Sequence, residues 1–350
     1  PEVSMMILDH YEYTGNRTAL AQFFPIVSLT LDFFRQHYTK RDSDGRMVIW
    51  PTQALEKYQC AKMPSPAASG APVPAWQPPN ATNCIENDTP TVVSLHVLLE
   101  RVLALPPDAA PDAITEARRN EWRQFQAILP PVPVQAAGNV NTGVQVESVL
   151  PYGSYPANYN ETVNRNGYET PEMFPVHPYR FFSVGREALG VKRPRTPAVN
   201  CLLHAAGTPE VCKNAQANFG WTQLPMTSAL LGQAALARGA VLQRAMGGSA
   251  EGYRFIGFAP HEQDYEPAED QFANMNSGLQ WMLVQPADDG NRSSIVFGAW
   301  PCEWDVAFKL AAPGPATIEG ELKGGKVVRM VIEPASHAQF VRVMPCQNQT

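Results

Sequence analysis

Two acidic residues stand directly before an apolar stripe in the segment EDQFANMNSGLQWMLVQ, residues 269–285. The apolar positions recur at helical spacing, so this segment predicts a helix with Glu269 and Asp270 at its start. A carboxylate at that position accepts a backbone N–H and suits the positive end of the helix dipole, which contributes about 0.5–2 kcal/mol without any catalysis. A carboxylate that opens into a cleft is instead a candidate catalytic group. Both interpretations of Asp270 stand at this stage.

The rest of the sequence excludes several classes of chemistry. A GxSxG elbow, a Walker loop, a GxGxxG loop and an HExxH motif are absent from the 350 residues. The seven histidines are scattered and no CxxC occurs, so neither a metal nor a cofactor is expected. A net charge of −6 and a pI near 5.7 provide no basic field for nucleic acid or an anionic membrane surface. No apolar run approaches the roughly 20 residues of a membrane-spanning helix, so membrane insertion is not expected either.

Cysteine spacing and glycosylation sequons favour the secretory route. The six cysteines fall into three sequence-local pairs: Cys60 with Cys84, Cys201 with Cys212, and Cys302 with Cys346. The six Asn-x-Ser/Thr sequons are at Asn16, Asn80, Asn87, Asn160, Asn291 and Asn348. Disulfides persist in oxidising compartments, and sequons are glycosylated only along the secretory route. A secreted, disulfide-bonded glycoprotein is therefore the prediction, and a cytosolic protein with free thiols is the alternative.

The elements that must position these residues are mainly helical up to residue 290. Apolar residues at helical spacing predict a hairpin of two helices over residues 3–38, broken at Gly15-Asn16, and further helices at 91–105 and 112–129. Residues 221–245 predict one more helix. Residues 144–150 show a short strand-like run. After residue 291, alternating and β-branched residues predict a small antiparallel β domain with a hairpin turn at residues 323–326.

Three segments carry a resemblance to a known family: TPEMFPVHPYRFFSVG, DQFANMNSGLQWMLVQ and IVFGAWPCEWDVAFKLAAPGPATIEGELKGGKVV, at 170–185, 270–285 and 295–328. They resemble the closing half of glycoside hydrolase family 95 and its bacterial relatives, which are six-hairpin glycosidases. The resemblance implies a mainly α fold, with a partial (α/α)6 toroid over residues 1–290. It implies a C-terminal β-sandwich-like domain over residues 291–350. The remaining helices of the toroid would lie N-terminal to Pro1.

The resemblance also implies a set of site residues. Asp270 matches the aspartate of the family's IDGNFG segment, which is the catalytic base. The family places its catalytic acid where this chain has Thr91, so Glu86 is the nearest substitute. Glu172 and His177 lie in the segment that lines the family's cleft. The remaining expected substrate contacts are the rings and amide of Trp221, Asn274 and Trp281, since aromatic rings stack on sugars.

Two functions follow from this resemblance. The first is a secreted glycoside hydrolase of the inverting type, which uses one carboxylic acid and one carboxylate base. Its substrate would be terminal α-linked fucose or galactose of an oligosaccharide, polysaccharide or glycoprotein glycan. The second is a catalytically degenerate extracellular protein that binds glycans or has a structural role. A phosphorylase on a related toroid is a third possibility. The sugar, the linkage and the oligomeric state are not indicated by the sequence.

Overall fold

The computed structural model of the chain describes residues 1–55, 58, 60, 84–138, 145–154, 169–188, 194–203, 212–218, 222–246, 269–290 and 292–344. Of these, about 45% are helical and about 20% are in strands. The α-helices are α1 (Glu2–Thr14), α2 (Arg17–His37), α3 (Thr89–Ala104), α4 (Glu116–Ala127), α5 (Val184–Ala188), α6 (Thr196–Leu202), α7 (Leu224–Leu230), α8 (Ala234–Met246) and α9 (Glu269–Leu283). Two 3-10 helices span Pro171–Met173 and Ala335–Phe340.

The strands form four small sheets among the described residues. They are β1 (Glu86–Asp88), β2 (Val134–Gly138), β3 (Gln145–Val149), β4 (Tyr152–Ser154), β5 (Val284–Pro286), β6 (Ser294–Val296), β7 (Val306–Ala312), β8 (Ala316–Lys323), β9 (Lys326–Glu333) and β10 (Val341–Val343). Strands β1 and β4 form an antiparallel pair, as do β2 and β3. Strands β7, β8 and β9 form an antiparallel meander, and the remaining sheet has the order β10-β6-β5.

The predicted fold class, a mainly α partial toroid, is wrong. An (α/α)6 toroid is built from pairs of long helices in two concentric layers. In the described residues, helices α5, α6 and α7 are only five to seven residues long. Small sheets separate the helical segments, and the β2–β3 hairpin packs on α6 in place of a helical neighbour. Periodicity identified helices but could not show how they pack together.

In contrast to the fold class, the local structure of the first helical hairpin was predicted correctly. Gly15 ends α1 with a left-handed φ of 65°, and its N–H donates to the carbonyl of Tyr11. Asn16 then caps α2, because its side-chain oxygen accepts from the backbone N–H of Ala19 at 2.9 Å. The predicted break at these two residues is confirmed. The helices predicted at 91–105 and 112–129 are confirmed as α3 and α4.

The helix predicted over residues 221–245 is two helices. Helix α7 ends at Leu230, and Gly232 has a φ of 72° before α8 begins at Ala234. A Cβ at Gly232 would lie 2.6 Å from Val184, so the chain makes a close approach there that only glycine accommodates. The residues on both sides of this turn favour helix, so the apolar periodicity predicted one continuous helix.

The strands predicted after residue 291 are confirmed, as is the turn between β8 and β9 at residues 323–326. The purely antiparallel arrangement is wrong, because β10 pairs with β6 in parallel. The strand-like run predicted at 144–150 is confirmed as β3. Of the disulfides, Cys60–Cys84 and Cys201–Cys212 are formed. Cys346, in the third predicted pair, lies outside the described residues.

The buried apolar residues of the described chain form two large clusters and a third, small one around Tyr58 and Tyr152. The first joins α1–α4 to the segment 173–182 and to α6. The second joins α7, α8 and α9 to the last two sheets, with Met282 and Ile318 both fully buried. The predicted domain boundary at residue 290 stays a prediction, and the second core draws residues from both sides of it.

Candidate ligand-binding site

A buried network of charged side chains lies where four separate segments meet. Helix α1 contributes Asp9 and Glu12, and helix α3 contributes Arg101. Arg180 comes from the segment after the first 3-10 helix, and Asp288 follows β5. Three carboxylates therefore face two guanidinium groups. Charged residues are rarely buried unless they are paired, so this network fixes how the four segments meet.

The two helices bring their charges together because each buries an apolar face. On α1, Met5 and Leu8 are buried, and Asp9 and Glu12 lie at the edge of that face. Helix α3 is buried along most of its length, so Arg101 enters the core with only 5% of its side chain exposed. Its Nη1 lies 2.7 Å from Asp9 Oδ1, and its Nη2 lies 3.0 Å from Glu12 Oε1.

Arg180 links both sides of the network. Its Nη2 donates to Asp9 Oδ1 at 2.6 Å, and its Nε donates to Asp288 Oδ2 at 2.7 Å. A second bond from Nη2 to Asp288 Oδ1 at 3.2 Å makes the contact with Asp288 bidentate. The side chains of Arg180 and Asp288 are 5% and 0% exposed. Both carboxylate oxygens of Asp288 are thus held by one guanidinium group.

The loop between β5 and β6 positions Asp288 and Arg292. Asp289 accepts from the hydroxyl of Ser293 at 2.7 Å and from its backbone N–H at 3.2 Å, which closes the loop. Asp288 and Arg292 have left-handed φ values of 48° and 58°, and Arg180 has one of 50°. Positive φ is uncommon outside glycine, and strained backbone of this kind clusters at functional sites.

A cavity of about 530 Å³ opens beside this network. Its walls come from the ends of α1 and α3, from α5 and from the loop after β5. The residues that line it are Tyr11, Glu12, Gly15, Arg17, Glu100, Arg101, Ala104, Leu105, Pro106, Arg186, Asp288, Asp289, Gly290 and Arg292. Cavities of about 300–1,000 Å³ are typical of small-molecule sites. This one differs from most such sites in the large share of charged side chains.

Two further arginines complete the cavity walls. Arg186, on α5, is 2% exposed, and its Nη1 donates to Glu100 Oε2 at 2.7 Å. Arg292 lies over the ring of Tyr11, with its guanidinium carbon 4.7 Å from the ring centroid. No described acidic residue forms an ion pair with Arg292.

The three carboxylates of the network have different protonation behaviour. Burial alone would raise the pKa of Asp288, but the charge of Arg180 outweighs it and lowers that pKa to about 2. Burial also opposes ionisation of Asp9, yet Arg180 and Arg101 together lower its pKa. For Glu12, burial raises the pKa, and Arg101 offsets this only in part because Asp288 and Asp9 raise it further. Glu12 is thus the carboxyl group that most favours holding a proton.

The same three carboxylates lie close enough together to ligate a metal, within 4.8 Å of one another. Arg101 and Arg180 already lie among them and pair with their oxygens. A cation here would have to overcome repulsion from both arginines. The network therefore does not fit a metal ion.

Of the predicted catalytic pair, only Glu86 can be placed. It lies on β1, 2.9 Å from Lys40 Nζ, and accepts a hydrogen bond from Ser154 at 2.8 Å. Burial acts against its ionisation, but Lys40 and Ser154 lower its pKa, which does not suit a proton donor. Asp270 starts helix α9, but its side chain lies outside the described residues. The catalytic roles of both residues stay predictions.

Three of the predicted substrate contacts do not line the cavity. Glu172 is fully buried and accepts from the backbone N–H of Cys212 at 2.8 Å. His177 packs against Trp281, with ring centroids 5.1 Å apart. Burial, followed by the charge of Arg180, lowers the pKa of His177 to about 3, so the ring is neutral. The roles of Glu172, His177 and Trp281 as substrate contacts stay predictions.

The remaining predicted residues are only partly placed. Asn274 on α9 donates to the carbonyl of Thr222 at 3.4 Å. Asn16 is occupied as a helix cap, and Asn87 accepts from the backbone N–H of Ile49 at 2.8 Å. The residues that lie outside the described part of the chain are Trp221, Asn80, Asn160, Asn291 and Asn348.

Sequence reasoning missed the whole network. Asp9 and Glu12 are three residues apart, which resembles the polar face of any amphipathic helix. One signal was present: Glu100 and Arg101 are the only Asp, Glu, Lys or Arg residues in α3, which is otherwise rich in apolar residues. A charged pair inside a buried helix needs partners, and those partners lie far away in sequence.

Comparison with known proteins leaves the family open. No family model matches the chain, and no curated protein matches it in sequence. The resemblance to glycoside hydrolase family 95 therefore stays a prediction. Across the described residues, no helix combines the length and the apolar character needed to cross a membrane.

Proposed function

We propose that the protein binds the terminal sugar of an extracellular glycan in the cavity between α1, α3, α5 and the loop after β5. The observation that carries this proposal is the mixture of groups in one cavity of about 530 Å³. Sugar hydroxyl groups both donate and accept hydrogen bonds. Glu12, Asp288 and Asp289 offer acceptors, while Arg101, Arg186 and Arg292 offer donors.

The extracellular part of the proposal rests on the cysteines. The two disulfides, Cys60–Cys84 and Cys201–Cys212, are of the kind that persists in oxidising compartments. The sequons add to this argument from sequence alone. A glycan partner is consistent with both, since extracellular proteins meet glycans on cells and in the matrix.

The test fills the cavity by a substitution that leaves the buried network unchanged and then measures sugar binding. Ala104 is the exposed last residue of α3 and lines the cavity. Replacing it, Ala104→Trp, should abolish binding to a panel of immobilised terminal sugars. Ala127→Trp is the matched control, because Ala127 is the exposed last residue of α4 and lies outside the cavity. Sugar binding that survives in the Ala104→Trp variant would refute the site.

Hydrolysis at the same cavity is a second candidate, favoured by the opposite pKa shifts of Glu12 and Asp288. Their closest carboxylate oxygens are within 4.8 Å, below the roughly 6.5–9.5 Å of inverting enzymes and nearer the roughly 5–5.5 Å of retaining ones. A reaction here would therefore retain configuration, unlike the predicted inverting reaction. Binding is placed first because Arg180 holds both oxygens of Asp288.

The hydrolase candidate has its own test. Glu12→Gln removes the proton donor but leaves the shape of the side chain almost unchanged. If the protein is a hydrolase, this variant should still bind the sugar and should lose turnover of aryl glycosides. Wild-type protein that binds sugars and turns over no aryl glycoside supports the binding function alone.

A further inference from the structure

We infer that the sugar bound in this cavity carries a carboxylate, as in a uronic acid. The inference rests on the proposed function and names the class of ligand for the same cavity. It depends on the donors of three arginines that line the cavity and on the contacts in which the carboxylates of the lining are already engaged.

Buried guanidinium donors around the cavity lack acceptors. Arg186 Nε, Arg186 Nη2 and Arg101 Nε are buried and have no hydrogen-bond partner among the described residues. Buried polar groups are nearly always hydrogen-bonded, and each unsatisfied donor is destabilising. Two of the three donors belong to one side chain, Arg186, which lines the cavity wall at 2% exposure. A ligand with closely spaced acceptor oxygens would satisfy such a pair.

Arg292 adds a positive charge that the described residues do not neutralise with an ion pair. Its guanidinium group stacks on Tyr11 at the cavity wall, which holds it in place while leaving its N–H edge free of that ring contact. Stacked arginines of this kind bind anionic groups without losing much side-chain freedom on binding.

The acceptors nearby do not cancel these donors. Glu100 accepts from Arg186 Nη1, and Asp288 is held on both oxygens by Arg180. Asp289 accepts from the hydroxyl and the backbone N–H of Ser293. Glu12 is the carboxyl group that most favours its neutral form, so it adds the least negative charge. The planar fork of a guanidinium group matches a carboxylate in shape and spacing. A sugar acid therefore fits the cavity better than a neutral hexose.

The test compares sugars that differ only at C6. Isothermal titration calorimetry at pH 7 would measure the methyl glycosides of glucuronic and galacturonic acid, each against its neutral hexoside. In the wild-type protein, at least one acidic glycoside should bind about tenfold more tightly than its neutral partner, because a hydrogen bond between charged groups is added. Equal affinity within both pairs overturns the inference but leaves sugar binding intact. If no glycoside of either kind binds, the proposed function fails.

Two variants and one control assign the preference to arginines of the cavity. Arg292→Gln should reduce the acid-to-neutral ratio to about one while neutral sugars still bind. Arg186→Gln should do the same, and Arg292→Gln remains decisive if the buried Arg186 variant fails to fold. Arg123→Gln, on the exposed face of α4, should keep the wild-type ratio. A ratio unchanged in Arg292→Gln contradicts the inference.

A last arm separates a sugar acid from a simple anion. Acetate presents the same carboxylate without the ring. If acetate at equal concentration displaces the methyl glycosides of the acids, the cavity is an anion site and the sugar-acid inference is wrong. Failure of acetate to compete supports it.

Discussion

Two networks of arginines and carboxylates join distant segments of this protein, and they differ in what surrounds them. In the α2–α4 network, Arg118 pairs with Asp32 and Glu121 and also donates to Ser28 at 2.6 Å. Its members are 21–44% exposed. The buried network around Arg180 is 0–30% exposed, and a cavity and unsatisfied donors adjoin it.

The difference in burial indicates that the α2–α4 network has a structural role only, whereas the buried network adjoins a candidate ligand-binding site. At the α2–α4 network, water can replace any contact that is lost, and such pairs contribute about 0–1 kcal/mol. At the buried network, Arg180 and Asp288 are nearly inaccessible to water, so losing one of these partners costs more stability. The buried network also shifts the pKa of Glu12 and of Asp288 in opposite directions. Of the two networks, only this one adjoins both the cavity and buried guanidinium donors without acceptors among the described residues, which a ligand could satisfy.

The largest predicted difference is in stability. Arg180→Met should lower the free energy of unfolding by about 3–5 kcal/mol, because it leaves Asp288 buried without its partner. Arg118→Met should lower it by about 1 kcal/mol or less. Urea denaturation at pH 7 measures both. Equal losses in the two variants would remove the distinction between the networks.

Acid should destabilise the protein through Asp288. Its pKa is lowered from 3.8 to about 2 on folding, so the stabilisation is present above pH 3.8 and is lost as the pH falls through 2. The lost free energy is about 2 kcal/mol. Asp288→Asn lacks this titration, so its stability should fall less between pH 4 and pH 2 than that of the wild type. Asp108→Asn, in an exposed ion pair, is the control and should follow the wild type.

The close packing of the site should be sensitive to one added methyl group. A Cβ at Gly185, next to Arg186, would lie 2.8 Å from Ala287 Cα. Gly185→Ala should therefore cost about 1–3 kcal/mol by overpacking. Gly239 in α8 has no atom within 4 Å of that position, so Gly239→Ala should stabilise the helix by about 0.5–1 kcal/mol. Thermal unfolding of both variants would show whether the two changes have opposite signs.

The smallest effect concerns Glu12. Because its folded pKa is raised above 4.5, the stability that this residue contributes is fully present below pH 4.5 and is lost as the pH rises through the folded pKa. Glu12→Gln cannot ionise, so its stability relative to the wild type should increase from pH 4.5 to pH 8. A constant difference across that range would contradict the raised pKa of Glu12. Glu303→Gln, on an exposed ion pair, serves as the control.

The sequence predicted the parts of the fold that local chemistry determines. The break at Gly15-Asn16 follows from a left-handed glycine and an asparagine cap, and the β8–β9 hairpin follows from alternation around Gly324-Gly325. The cysteine pairs that are close in sequence were also predicted correctly at both places that can be examined. Each of these signals lies within about 25 residues of chain.

The overall fold and the site could not be predicted because both depend on contacts between residues that are distant in sequence. Arg180 pairs with Asp9, which is 171 positions away, and with Asp288, which is 108 positions away. Neither distance is visible in a single sequence. The predicted site residue nearest to the network, His177, lies three positions before Arg180. The segment that contains His177 was thus predicted to line the site, whereas its member of the network, Arg180, was not predicted.

The most direct test follows the arginine side chains while a ligand binds. Nε–Hε NMR signals of arginine would be recorded during titration with the methyl glycosides of glucuronic and galacturonic acid. We expect the signals of Arg186, Arg101 and Arg292 to shift together and saturate, while those of Arg118 and Arg123 stay in place. Saturable binding that leaves the three cavity arginines unshifted would contradict the assignment of the cavity as the ligand site.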